Sequence, residues 1–283
     1  MISLRKLLLA SIIPYALASN PLYHEKKSAS TIQSNNLEQR IGHLAKVDIV
    51  NPQGEGAIYL IGQVHADPVT TKDGVEYKGT QESALVQAQV YHILLRLRPQ
   101  LAIGEGLPNR EFTFPMENLK WSEAEIKFHK NGFERSVDFT REYFALNPKQ
   151  VAYSAWEMLN PQTATYGIDD KKEMQRVREL DKQQFSLAEP ISSAVKDTLK
   201  MVEFANQIRS IRTKKKNLHD QRSRIYMRES VAIADRLKQP EVTIIIGAAH
   251  LPLMTQEYGG SRKLYIIWPR GITTGSTNLY KTE

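Results

Sequence analysis

Two stretches decide the fold: Ala57–His65, AIYLIGQVH, and Val242–His250, VTIIIGAAH. Each is an apolar run, then Gly62 or Gly247, then two residues and a histidine. A short apolar run bounded by a turn residue reads as a strand buried on both faces. The Gly lets the chain turn sharply as it leaves the strand, and the histidine three residues on can point back over the sheet edge. Working outward, Lys46–Val50, Gln100–Ile103, Thr165–Ile168 and Lys263–Trp268 read as further strands. Gln81–Arg98 reads as a helix, with Leu85, Ala88, His92 and Leu95 at three- and four-residue spacing and Pro99 to stop it. Val69–Gly79 reads as a loop, Pro108–Pro148 as short helices, and Val151–Leu159 as helical or mixed. Lys171–Leu237 has a mostly helical composition broken near Pro190, and Ala248–Glu257 begins another helix. Strands alternating with helices predict an α/β fold with a central, mostly parallel sheet.

In such a sheet, ligands bind beyond the carboxyl ends of the strands. Four runs here end in residues with chemistry: Gly62 to His65, Gly104-Glu105, Asp169-Asp170, and Gly247 to His250. If those four strands are neighbours, two imidazoles and two carboxylates converge. That donor set suits a divalent ion such as manganese, cobalt or zinc, which makes hydroxide from a bound water near neutral pH. The plainer reading is two histidines that satisfy backbone groups at strand ends. Asp169 and Asp170 serve equally well as the N-cap of a helix from Lys171. No H-E-x-x-H, no G-x-S-x-G and no cysteine occurs. These absences exclude the one-helix zinc protease design, the usual serine elbow and a cysteine nucleophile.

Composition sets the frame for these motifs. The 283 residues are 41% hydrophobic and 24% charged, which is ordinary globular usage and excludes wholesale disorder. Arg5 and Lys6, the apolar Leu7–Leu17 and the small-x-small Ala16-Leu17-Ala18 read in that order as a secretory signal peptide over residues 1–18. An uncleaved N-terminal anchor is the other reading. The expectation is an exported protein, periplasmic or secreted, with no membrane span after cleavage. The polar stretch 19–43 reads as a flexible lead, and 44–283 as one α/β domain with a helical insertion over about 108–164. The net charge of +7 becomes +5 when Arg5 and Lys6 leave, which permits anionic partners without implying them. Arg209–Arg228 holds eight basic residues. It reads as a solvated helix rather than a nucleic-acid patch, so no nucleic-acid partner is expected. His92 reads as a packed histidine, and His219-Asp220 as a weak signal inside the basic run.

The doubled G-x-x-H, each after a strand, with Glu105 ending a third, resembles the TraB/Tiki/GumN superfamily. The related ChaN-like and erythromycin-esterase-like proteins share that plan. The resemblance runs from about Ala57 to Trp268 and rests on His65, Glu105, His250, Gly62 and Gly247. It implies two pseudo-equivalent halves and a metal-dependent hydrolase acting on a peptide or small-molecule ester. His65, His250, Glu105 and Asp169 would be the metal ligands. Glu105 would also serve as general base, its carboxyl lifted by burial toward the working pH. Arg228, matching an Arg common in such families, would hold the developing oxyanion, or else form a salt bridge on a helix. Gly62 and Gly247 would shape the binding site. ChaN-like relatives bind haem, so a haem or small-ligand binding protein is the alternative. A non-catalytic interaction protein on the same fold is the third reading.

Overall fold

The computed structural model describes residues 34–65, 67–71, 74–108, 121–187 and 198–272. The expected signal peptide lies outside the described residues. The elements in chain order are α1 Ser34–Ile41, β1 Ala45–Val50, β2 Ala57–Gln63, β3 Asp67–Thr71, β4 Gly74–Lys78 and α2 Gln81–Leu97. Then follow β5 Leu101–Pro108, α3 Glu123–Arg135, α4 Val137–Leu146, α5 Ala152–Leu159, β6 Ala164–Asp169 and α6 Lys171–Ser186. The chain continues with α7 Thr198–Arg236, β7 Glu241–Gly247, a 3-10 turn Ala248–His250, α8 Leu251–Gln256 and β8 Lys263–Pro269.

Six strands form one sheet in the order β1-β8-β2-β7-β5-β6. Every neighbouring pair is parallel except β1–β8 at one edge. The protein is therefore α/β with a mostly parallel sheet. The four strands whose ends carry His65, His250, Glu105 and Asp169 are β2, β7, β5 and β6, and they lie side by side.

Helices cover both faces, and two glycines show why. Gly62 is registered with Ile246, and Gly104 with Ile245, so the two glycines face opposite sides of the sheet. A Cβ on Gly62 would meet Leu251 Cδ1 of α8 at 2.8 Å, and one on Gly104 would meet the Tyr153 ring of α5 at 2.6 Å. Each glycine thus admits a helix side chain to the sheet surface. On the first face, Ile58, Leu60, Ile103, Ile244 and Ile246 pack with Tyr226, Met227 and Ile233 of α7 and with Leu251 and Met254 of α8. Burying each such side chain contributes about 1.5–3 kcal/mol. On the other face, α2 and α5 lie against the sheet, and Tyr59 stacks on its registered partner Tyr265 at 5.1 Å. The α2 helix starts with a capping box between Thr80 and Ser83 and ends on Arg98 in the left-handed region (φ 50°), just before Pro99.

Two expectations change. The lead expected to be flexible through residue 43 holds helix α1, because Leu37 and Ile41, four apart, are both fully buried. Val69–Gly79, read as a loop, contains the β3–β4 hairpin, and its Val69, Thr70, Thr71 and Val75 are residues that favour extended backbone. The described part of the insertion, α3 to α5, extends the α2 layer. Phe133 meets Tyr91 at 4.9 Å and Tyr143 at 5.0 Å, and Trp156 meets Tyr91 at 5.9 Å.

Helix α7 has 39 residues and spans about 58 Å. Much of the basic run on it is paired: Lys215 with Asp181 at 2.6 Å, Lys216 with Asp220 at 2.8 Å, and Arg224 with Glu257 at 3.2 Å. Among the described residues, no helix is long and apolar enough to cross a membrane.

Candidate active site at the carboxyl ends of the strands

Strands β2 and β7 are registered with Gln63 opposite Gly247, so the two G-x-x-H motifs leave the sheet one residue apart. Glu105 of β5 reaches across the end of β7. Its Oε2 accepts the Gly247 N–H at 2.5 Å. A Cβ at position 247 would stand 3.0 Å from that oxygen, a tight contact that would push the carboxylate aside by a few tenths of an ångström. Glu105 then faces both histidines: His65 Nε2 lies 3.9 Å from Oε2, and His250 Nε2 lies 3.5 Å from Oε1. The His65 side chain is 43% exposed, Glu105 14% and His250 5%. The segment before His65 is pinned by Gln87 of α2. Its Nε2 donates to the Val64 carbonyl at 2.8 Å, and its Oε1 accepts the Ala152 N–H at 2.6 Å.

The third side of the site is α7. Arg222 donates to Asp169 Oδ1 at 2.8 Å and lies 3.5 Å from Glu105 Oε1, bridging the two carboxylates. Tyr226 donates its hydroxyl to the same Asp169 oxygen. Ser223 Oγ sits 2.7 Å from His250 Nδ1, and the His219 ring stacks on the His250 ring at 3.9 Å and 14°.

Two expected roles resolve differently from one another. Asp170 caps α6, its Oδ1 accepting the Lys172 and Glu173 N–H groups, while Asp169 turns into the site. Arg228 does not reach the site: its side chain is 72% exposed and paired with Glu229 at 3.1 Å. Arg222 occupies the place expected for it. Six residues advance a helix by 600°, so positions 222 and 228 face directions about 120° apart. Arg222, Ser223 and Tyr226 were not among the expected site residues, and His219 carried only a weak signal. A signal for them exists: His219, Arg222/Ser223, Tyr226 and Ser230 follow three- and four-residue spacing and run on into the buried Ile233 and Ala234. Gly62 faces Leu251 and Ala248, so it is a packing glycine, while Gly247 belongs to the site.

The electrostatics follow from these contacts. Burial alone would raise the Glu105 carboxyl, but the facing His250 and His65 outweigh it and hold it well below the usual carboxylate range. These contacts oppose the expected lift toward neutral pH and favour the Glu105 anion. Burial and the neighbouring His250 push His219 down to about 4, against the opposing pull of Asp220, so this ring is neutral at pH 7. Burial would lower Arg222, yet Tyr226, Asp169 and Glu105 raise it above its ordinary value. Its buried Nε has no hydrogen-bond partner among the described residues, leaving one donor uncommitted.

Two imidazoles and a carboxylate have the right chemistry for manganese, cobalt or zinc. Among the described residues, however, no three His, Asp or Glu side chains are arranged to hold an ion. One Glu105 oxygen is taken by the Gly247 N–H, and the other faces a permanent cation at 3.5 Å. A second positive charge beside that guanidinium would be repelled. As placed, these residues do not fit a resident ion. A haem needs flat apolar walls, and the described groups facing His250 and His65 include a carboxylate, a guanidinium and a hydroxyl.

No protein-family model, curated protein or solved structure matches this chain. The chemistry of the site carries the functional reading.

Proposed function

We propose that this chain is an exported hydrolase of an ester or amide bond, of the TraB/Tiki/GumN kind, working through the His65–Glu105–His250 centre. The observation that carries this reading is one carboxylate held between two imidazoles, with a buried guanidinium on the oxygen that faces His250. The reading of two pseudo-equivalent halves is supported by the two G-x-x-H strands lying in parallel side by side. Export rests on the basic, apolar and small-residue order of residues 1–18.

The reaction divides among the side chains by position and charge. His65 is the more exposed imidazole and meets the substrate water; it takes the proton as oxygen attacks the carbonyl carbon. Glu105 stabilises the imidazolium this creates without taking the proton itself. Arg222, 3.5 Å from Glu105 Oε1, is the fixed positive charge that faces the developing oxyanion. Collapse breaks the bond to the leaving group, and His250 Nε2 supplies its proton. The proton on His65 then passes through solvent to His250 Nε2, which gave one up, and both rings are restored. Removing a positioned donor to an oxyanion costs about 100- to 1,000-fold in rate.

The test is hydrolysis of p-nitrophenyl esters and a mixed peptide library by the purified chain, with and without a chelator, beside elemental analysis. His65→Ala, His250→Ala and Glu105→Gln are run in parallel. Cleavage that survives chelation and is lost in all three variants supports the acid–base reading. Full activity in all three would overturn the site. Near-stoichiometric manganese, cobalt or zinc, lost with either histidine, would replace this mechanism with a metal-dependent one. A Soret band on haem addition without hydrolysis would favour the ligand-binding alternative.

A further inference from the structure

We propose that Ser223 is a positioning residue that selects the working nitrogen of His250. It keeps Nδ1 protonated and leaves Nε2 as the nitrogen that exchanges protons with the site. The proposal rests on the hydrolase reading for its functional meaning, but not for its structural content.

The assignment follows from a count of hydrogens. A serine hydroxyl has one hydrogen to give and two lone pairs. Ser223 Oγ stands 2.8 Å from the His219 carbonyl oxygen and 2.7 Å from His250 Nδ1. The carbonyl can only accept, so the Ser223 hydrogen goes to it. Turning that hydrogen toward Nδ1 instead would leave two oxygens 2.8 Å apart with no proton between them. With its hydrogen committed, Oγ must accept, and Nδ1 must carry the proton it accepts. Nε2 is then the nitrogen whose protonation varies, and it is the one that faces Glu105 Oε1 at 3.5 Å. Orienting partners of this kind set which ring nitrogen works.

The remaining neighbours do not compete for Nδ1. The His219 ring lies flat on His250 and fixes the plane of the ring rather than its tautomer. Tyr226 presents its ring to His250 at 5.2 Å and spends its hydroxyl on Asp169. Ser223 is fully buried, so water does not substitute for it at Nδ1. Without the hydroxyl, the single proton of a neutral ring moves to Nε2, where the Glu105 carboxylate accepts it. The nitrogen facing the site is then blocked in the neutral ring.

The experiment is long-range proton–nitrogen correlation NMR of the His250 ring in the full chain labelled at histidine, with His250→Ala to assign it. In the wild type, Nδ1 is expected in the protonated range; Nδ1 in the lone-pair range would overturn the proposal outright. In Ser223→Ala, Nδ1 is expected to move to the lone-pair range and Nε2 to the protonated range. An unchanged pattern would overturn it as well. Where hydrolysis is found, Ser223→Ala is expected to lower kcat about 10- to 100-fold while KM stays within about twofold. Ser223→Thr, which keeps the hydroxyl, is expected to retain the wild-type nitrogen pattern. If the wild type cleaves no ester or peptide, the hydrolase reading falls, and the nitrogen pattern still decides for or against Ser223.

Discussion

His65 and His250 end the same local sequence on adjacent parallel strands, yet their surroundings are opposite. His65 is 43% exposed and leads into the β3–β4 hairpin, and its contact to Glu105 is 3.9 Å. His250 is 5% exposed and is held by Ser223 at one nitrogen, by the His219 ring at its face and by the Tyr226 ring at its edge. The same G-x-x-H pattern thus delivers one accessible imidazole after irregular backbone and one rigid one on a 3-10 turn. The difference comes from α7, which packs on β7 and on the 3-10 turn that carries His250. The proposed hydrolase needs one ring that meets water and one that gives a proton from a fixed direction.

The comparison is broken most completely at Glu105, the group the two histidines share. Glu105→Gln is expected to lower kcat/KM about 1,000-fold on any ester or peptide the protein cleaves, or about 4 kcal/mol of transition-state stabilisation. Next is Arg222→Met, which leaves Asp169 and Glu105 as adjacent buried carboxylates without their cation. Urea unfolding is expected to show a loss of about 3–5 kcal/mol. A smaller effect sharpens the rigid side. His219 has a folded-state value of about 4, below its ordinary 6.5. Between those values the unfolded chain binds a proton that the folded chain refuses, so stability falls as pH falls through that window. The contribution reaches about 3 kcal/mol by the acid end, and His219→Phe is expected to flatten the corresponding part of the stability–pH curve. Smallest is the contrast between the histidines as structural groups. His250→Ala is expected to cost about 2 kcal/mol in unfolding free energy, whereas His65→Ala stays within about 0.5 kcal/mol. Arg228→Ala, on the outer side of α7, is expected to match His65→Ala in stability and to leave activity unchanged.

Much of the scaffold was legible in the sequence because apolar runs and three- or four-residue spacing report local geometry directly. The runs at Ala57, Gln100, Thr165, Val242 and Lys263 are strands, and Gln81–Leu97 is a helix closed at Pro99. The hairpin after His65 was missed because Val69, Thr70 and Thr71 sit among polar and turn residues without clean alternation. Helix α1 was missed because only Leu37 and Ile41 announce it, and two apolar residues in a polar stretch signal little until they have a surface to dock on.

The sequence by itself determined where four strands end and which chemistry-bearing residues stand there: His65, Glu105, Asp169 and His250. Tertiary structure alone decided that β2, β7, β5 and β6 are neighbours, because strand order depends on long-range packing rather than on any local pattern. It also decided between Arg222 and Arg228 and between Asp169 and Asp170. In each pair the residue types are identical, and only the rotational setting of a helix, or the turn that starts one, tells which carboxylate or guanidinium points inward.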